Sequence, residues 1–130
     1  MKTPIFPPHA ARPIAPYTPA IDAGGMVFLS GQIALDPATG ELVMDSIAEE
    51  THQVMRNLGA LLEAAGLTFD HVVKCTIFMS SMDHYAQVNE VYATYFGEVP
   101  PAREAVAVLT LPRNVNVEIS AIAIKDRLKA

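Results

Sequence analysis

The spacing of apolar and polar positions changes several times along the chain, and each change marks a separate element. Met26-Val27-Phe28-Leu29-Ser30 is a short β-branched and aromatic run that predicts a strand, and Gly31-Gln32-Ile33-Ala34-Leu35 continues it past a glycine bulge. Asp22 to Gly25 supplies turn chemistry ahead of it. Asp36-Pro37-Ala38-Thr39-Gly40 reads as a tight connection, after which Glu41-Leu42-Val43 returns as a partner strand. Ser46-Ile47-Ala48-Glu49 has the form of a capping box, so a helix starts here. Its stripe is Ile47, Val54, Leu58, Leu61 or Leu62, and Ala65, with Gly66 as the residue just past the end. Val72 to Met79 is apolar on both faces, as an internal strand requires. A second helix follows, capped by Ser81 or Asp83, with Tyr85, Val88, Tyr92 and Tyr95 or Phe96 on one face and Gly97 at its end.

Pro100 and Pro101 forbid its continuation. Ala102 to Leu109 and Val115 to Ile124 are the last two strands, and Leu111-Pro112-Arg113-Asn114 between them suits a hairpin. Residues 1–20 hold six of the ten prolines and are expected to run as an extended arm. Strands interleaved with two helices and closed by a terminal hairpin predict an α+β domain, with a mixed β-sheet and two helices packed on one face.

Length and composition fit one domain over residues 1–130, with enough chain to bury a core without disulfides. Apolar residues make up 51% and charged residues 18%, an under-charged balance that points to a buried subunit interface. The net charge of −5 argues against a broad nucleic-acid surface, since phosphate binding draws on a basic face. Cys75 is the only cysteine, and the histidines at 9, 52, 71 and 84 have no metal-ligand spacing, so neither a disulfide nor a metal site is expected. Prolines interrupt the N-terminus before an apolar signal core could form, and no run is long enough to span a membrane. A cytoplasmic protein is the expectation.

Nucleotide-loop, nucleophile-elbow and metal-ligand motifs are all missing from the sequence. The candidates are therefore ionisable groups inside apolar strands. Arg103 opens one strand in Pro-Ala-Arg-Glu-Ala-Val, and Glu118 lies inside Val-Asn-Val-Glu-Ile-Ser-Ala-Ile, where a carboxylate is costly unless paired or functional. Alternation places Arg103 with Ala105 and Ala107, Glu118 with Ser120 and Ile122, and Glu104 on the face away from Arg103. Two alternatives stand for Arg103 and Glu118: a structural ion pair, or a functional site. Cys75 reads as a small core side chain and the Tyr85/Tyr92/Tyr95 stripe as core.

The blocks Ile14-Ala15-Pro16-Tyr17, Leu29-Ser30-Gly31-Gln32-Ile33 and Asp36-Pro37-Ala38-Thr39-Gly40-Glu41 resemble the N-terminal signature of the Rid (YjgF-type) enamine/imine deaminase family. The resemblance continues in order through Val72 to Met79, Val88-Asn89-Glu90-Val91-Tyr92, Pro101-Ala102-Arg103 and Val117 to Ala123. It implies a chorismate-mutase-like α+β subunit assembled as a homotrimer, with small clefts at the subunit interfaces. It further implies cofactor-independent hydrolysis of 2-enamine or 2-imino acids, such as 2-aminoacrylate or 2-iminopropanoate, to 2-keto acids and ammonia.

Carried over residue by residue, the resemblance makes Arg103 the anchor of the substrate carboxylate and Glu118 the group that positions water. Tyr17 joins them as a catalytic residue, and Ser30, Gly31, Asn89 and Ala105 line the substrate. Family members often have glycine at Ala15, glutamine at Pro19, a small hydroxyl residue at Glu104 and in some a cysteine at Ala105, so this pocket differs in shape. Rival functions are a non-catalytic keto- or imino-acid-binding regulator, which needs Arg103 but not Glu118; a stress-related holdase; and the RNA-cleaving role attributed to some relatives.

Overall fold

The computed structural model describes residues 1–8, 10 and 12–126. The strands are β1 (Lys2–Ile5), β2 (Ala20–Ala23), β3 (Met26–Gln32), β4 (Val72–Met79), β5 (Ala102–Ala107) and β6 (Val117–Ile124). The helices are α1 (Ile47–Ala64) and α2 (Tyr85–Ala93). All six strands join one sheet in the order β1-β2-β3-β6-β4-β5. Only the β4–β5 pair is parallel. Two β-α-β crossovers, β3-α1-β4 and β4-α2-β5, build the frame, and β6 enters last, antiparallel to both β3 and β4.

Local chemistry explains the element ends. The Ser46 hydroxyl accepts from the Glu49 amide at the start of α1. At its end Gly66 takes a φ of 77°, and the Gly66 and Leu67 amides bond back to the Glu63 and Leu62 carbonyls, a Schellman closure. The β2–β3 turn uses Gly24 and Gly25 at φ 67° and 98°, and the Asp22 carboxylate accepts from the Gly25 amide. Asp22 also pairs with Lys125, and that bond holds its carboxyl below the usual range.

The core lies between one sheet face and the two helices. Val27, Leu29, Ile77, Met79, Val117 and Ile119 are buried there against Val54, Met55, Leu58, Leu62 and Val88. The opposite sheet face carries no helix. On it Met26, Phe28, Val106 and Ile124 remain roughly two-fifths exposed.

Three expectations need correction. The arm contributes a strand, β1, because the stretch Lys2–Ile5 finds the free edge of β2. Glu41-Leu42-Val43 forms no strand, only a bridge between Leu35 and Leu42. The terminal hairpin is absent: β5 and β6 flank β4 on opposite sides. At the start of β6 the fully buried Glu50 of α1 accepts from the Asn116 amide (2.8 Å), the Asn116 side chain (3.0 Å) and the Val117 amide (3.0 Å). The start of β6 is thus held beneath α1, across β4 from β5. The intervening chain turns through left-handed Arg113 and Asn114, φ 56° and 57°.

Candidate active site

The predicted residues fall into two groups on opposite faces of the sheet. The first lies where β3 meets β6. The register between these strands slips between Leu29 and Gln32, which makes Ser30-Gly31 the expected bulge. The Ser30 amide and hydroxyl donate to the Pro19 and Thr18 carbonyls at 2.9 and 2.6 Å, so the chain just after Tyr17 is stitched to the bulge. Proline at position 19 is compatible with this because the contact uses only its carbonyl. Asn57 of α1 steadies the segment that follows by donating to the Ile33 and Leu35 carbonyls at 2.9 and 2.8 Å.

Glu118 of β6 sits against this bulge. A Cβ placed on Gly31 would lie 2.6 Å from a Glu118 carboxylate oxygen, so glycine is what lets the carboxylate approach the backbone. Burial raises the Glu118 carboxyl above the ordinary carboxylate range. Tyr17, beside this group in the chain, is 56% exposed and contributes no buried wall in the single chain.

The second group lies on the helix side, at the β5 edge. Arg103 is level with Cys75 of β4 and points toward α2. Its guanidinium donates to the Asn89 side-chain carbonyl at 2.7 Å and to the Tyr85 hydroxyl at 3.1 Å. It also lies 5.1 Å from the Tyr92 ring centre and 5.6 Å from that of Tyr85. These contacts fix the planar fork without using a carboxylate, which leaves donors for a ligand. A cleft of about 360 Å³ opens beside it, walled by Asn89, Tyr92, Phe96 and the two prolines 100 and 101.

Under the guanidinium, the buried Tyr92 hydroxyl has no hydrogen-bond partner and neighbours Cys75. Burial, then Cys75, pushes the phenol up, and burial pushes the Cys75 thiol up, so both stay neutral. Cys75 is therefore the core side chain expected.

Arg103 and Glu118 do not form the structural ion pair. Glu118 is level with Phe78 on the helix-free face, two strands from Arg103, and Arg103 points to the other side. Ala105 shares the Arg103 face but packs toward the core rather than lining the cleft. Glu104 faces away as expected and pairs with Lys74 at 3.1 Å in an exposed contact. Among the described residues no group of His, Cys, Asp and Glu side chains is arranged to hold a metal ion. Among the described residues no helix is long and apolar enough to cross a membrane.

The family model described as endoribonuclease L-PSP matches residues 8–125. The chain belongs to the Rid (YjgF-type) family. It is 50% identical to a RutC family protein of Pyrococcus horikoshii, over 97% of this chain and all of that one. It is 44% identical to the mouse 2-iminobutanoate/2-iminopropanoate deaminase, over 89% of this chain and 86% of the relative. Among solved structures, TM0215 of Thermotoga maritima superposes with a TM-score of 0.93 at 51% identity, covering 98% of this chain and all of that one. Escherichia coli TdcF with bound serine gives 0.89 at 36% identity, covering 95% and 99%.

Within this Rid chain, sequence reasoning missed two residues that shape the site. Tyr85 was assigned to a core stripe, yet it is 38% exposed and its hydroxyl holds Arg103. Its place at the first position of α2, where a helix face turns toward the sheet edge, was the available signal. Glu50 carried no signal beyond a charge in the first turn of α1.

Proposed function

We propose that the protein hydrolyses 2-imino acids to 2-oxo acids and ammonia, at a site built from two copies of the chain in a homotrimer. The observation that carries this is Arg103, held rigidly and without a carboxylate partner among the described residues, on one sheet face and the half-buried Glu118 carboxylate on the other. One group suits a substrate carboxylate, the other suits acid–base work on water, and a single chain cannot bring them together. The exposed Met26, Phe28, Val106 and Ile124 of the helix-free face, with the exposed Tyr17, supply apolar surface for a second copy to cover. The mouse relative's name gives this activity, and TdcF holds serine, an amino acid with the carboxylate that Arg103 would take.

Arg103 binds the carboxylate through parallel N–H donors and so aims the imine carbon at the second copy. Glu118 accepts a proton from water as the oxygen attacks that carbon, giving a carbinolamine. It returns the proton to nitrogen, the C–N bond breaks with loss of ammonia, and Glu118 takes the hydroxyl proton and passes it to the ammonia, which leaves the ketone and ammonium. The sum, iminium plus water to ketone plus ammonium, balances in atoms and charge and needs no cofactor. A carboxyl held above its ordinary range suits both halves of this proton transfer.

The test generates imines from an amino acid with an oxidase and traps them with semicarbazide. Wild-type protein is expected to suppress the trapped product and Arg103→Ala to leave it unchanged. Full trapping by wild type with 2-oxo-acid binding intact would favour the regulator over the hydrolase.

A further inference from the structure

We propose that the cleft beside Arg103 is a side-chain subsite that selects 2-imino acids with apolar side chains larger than ethyl, leucine-like or phenylalanine-like. This rests on the hydrolase function above, because Arg103 must hold the carboxylate for the cleft to receive the rest of the substrate. The first support is the wall. Apart from Arg103 and Asn89 at one end, the cleft is lined by Tyr92, Ala93, Phe96 and the prolines, with no charged group to meet an ionic side chain. Burying such a charge there would go uncompensated.

The second support is rigidity and size. Phe96 packs at a tilt of 47° against Tyr92 with ring centres 4.7 Å apart and meets Phe69 edge-on at 5.6 Å, so the aromatic wall is locked from behind. An apolar cavity of about 150 Å³ already accommodates benzene. The cleft is open on one side and measures about 360 Å³, so it has room for an apolar side chain larger than methyl or ethyl.

The third support is Gly97, which also lines the cleft. Its φ lies outside the left-handed region, so the backbone does not require glycine. A Cβ there would meet no atom within 4 Å. The missing side chain serves as open volume beside Phe96.

The experiment compares kcat/KM for imines derived from alanine, leucine, phenylalanine and glutamate, in wild type and in Gly97→Leu. The wild type is expected to prefer the leucine and phenylalanine imines and to disfavour the glutamate imine. Gly97→Leu should lower the leucine-to-alanine ratio by about tenfold or more, the scale on which hydrophobic pockets discriminate added methylenes. Calorimetric titration with pyruvate and 4-methyl-2-oxopentanoate reads the same ratio without turnover, and Ala93→Leu is the second variant should Gly97→Leu fail to fold. Turnover of the alanine imine with no gain for larger side chains, or a ratio unmoved by plugging the cleft, overturns the subsite. No turnover of any imine counts against hydrolysis instead, and the oxo-acid titration then decides the subsite alone.

Discussion

At the scale of single residues, Glu118 and Gly31 form a unit whose parts can be separated. Burial keeps the Glu118 carboxyl above the ordinary range, so folding favours its protonated form. Its contribution to stability is fully present below the ordinary glutamate pKa and is lost as pH rises through the raised value. Glu118→Gln should therefore raise the melting temperature at neutral pH, and this gain should vanish in acid below the carboxylate range. Turnover should fall by about 10²–10⁴-fold, less where unaided imine hydrolysis is fast. A melting temperature that drops at neutral pH would show Glu118 to be a structural group. Gly31→Ala tests the approach itself. The new methyl meets the end of a side chain and not backbone, so the protein should fold normally while Glu118 is pushed aside. Circular dichroism matching wild type, with imine turnover lowered at least tenfold, is the expected pair of results.

Between elements, the decisive contact is Glu50 of α1 with the first residues of β6. A buried carboxylate that accepts three hydrogen bonds is satisfied without a cation. Asn116, which it grips, is also bonded to Ser80 at the end of β4 through the Ser80 hydroxyl at 2.8 Å. One side chain thus ties a helix to the ends of two strands. Glu50→Gln keeps one carbonyl for the two backbone amides but puts its NH2 against the Asn116 side-chain NH2, and should cost about 1–3 kcal/mol, seen as a lower midpoint in urea with an unchanged slope. An unchanged midpoint would mean that the insertion of β6 rests on the apolar alternation of Val117 to Ile124 alone. That alternation, like the α1 stripe and its Ser46 and Gly66 ends, was legible in the sequence. The placement of β6 between β3 and β4 was not, because it involves contacts between residues far apart in the chain, such as 50 and 116, that no local period encodes.

For the whole molecule, the two half-sites proposed on opposite faces make a prediction that no single-chain site shares. Arg103→Ala and Glu118→Gln proteins should each be inactive, but unfolding and refolding them together should restore activity. With random assembly into rings, about one quarter of the interfaces would pair an intact Arg103 with an intact Glu118. Recovery of no activity from well-folded mixed oligomers would show that Arg103 and Glu118 do not act at one shared site. Light scattering of the wild type should give about three times the chain mass at micromolar concentration. A monomer would remove the second copy on which the arrangement depends.

The order of most elements, the two ends of α1, the bulge at Ser30-Gly31 and the two ionisable residues Arg103 and Glu118 were determined by the sequence itself, whereas α2 stops at Ala93, short of the Gly97 that the sequence offers as its end. These depend on neighbours three or four residues away, on strand alternation, or on a charge that is out of place in an apolar run. The tertiary structure alone decided that β4 separates β5 from β6, and it therefore decided that Arg103 and Glu118 face opposite ways. Alternation within a strand tells which residues share a face but not which face is covered by helices. That choice is made by burial: Ile119 and Ala121 go under α1, and Glu118 is left on the open side. The hold of Tyr85 and Asn89 on Arg103 is of the same kind, since it forms only where the start of α2 meets the edge strand.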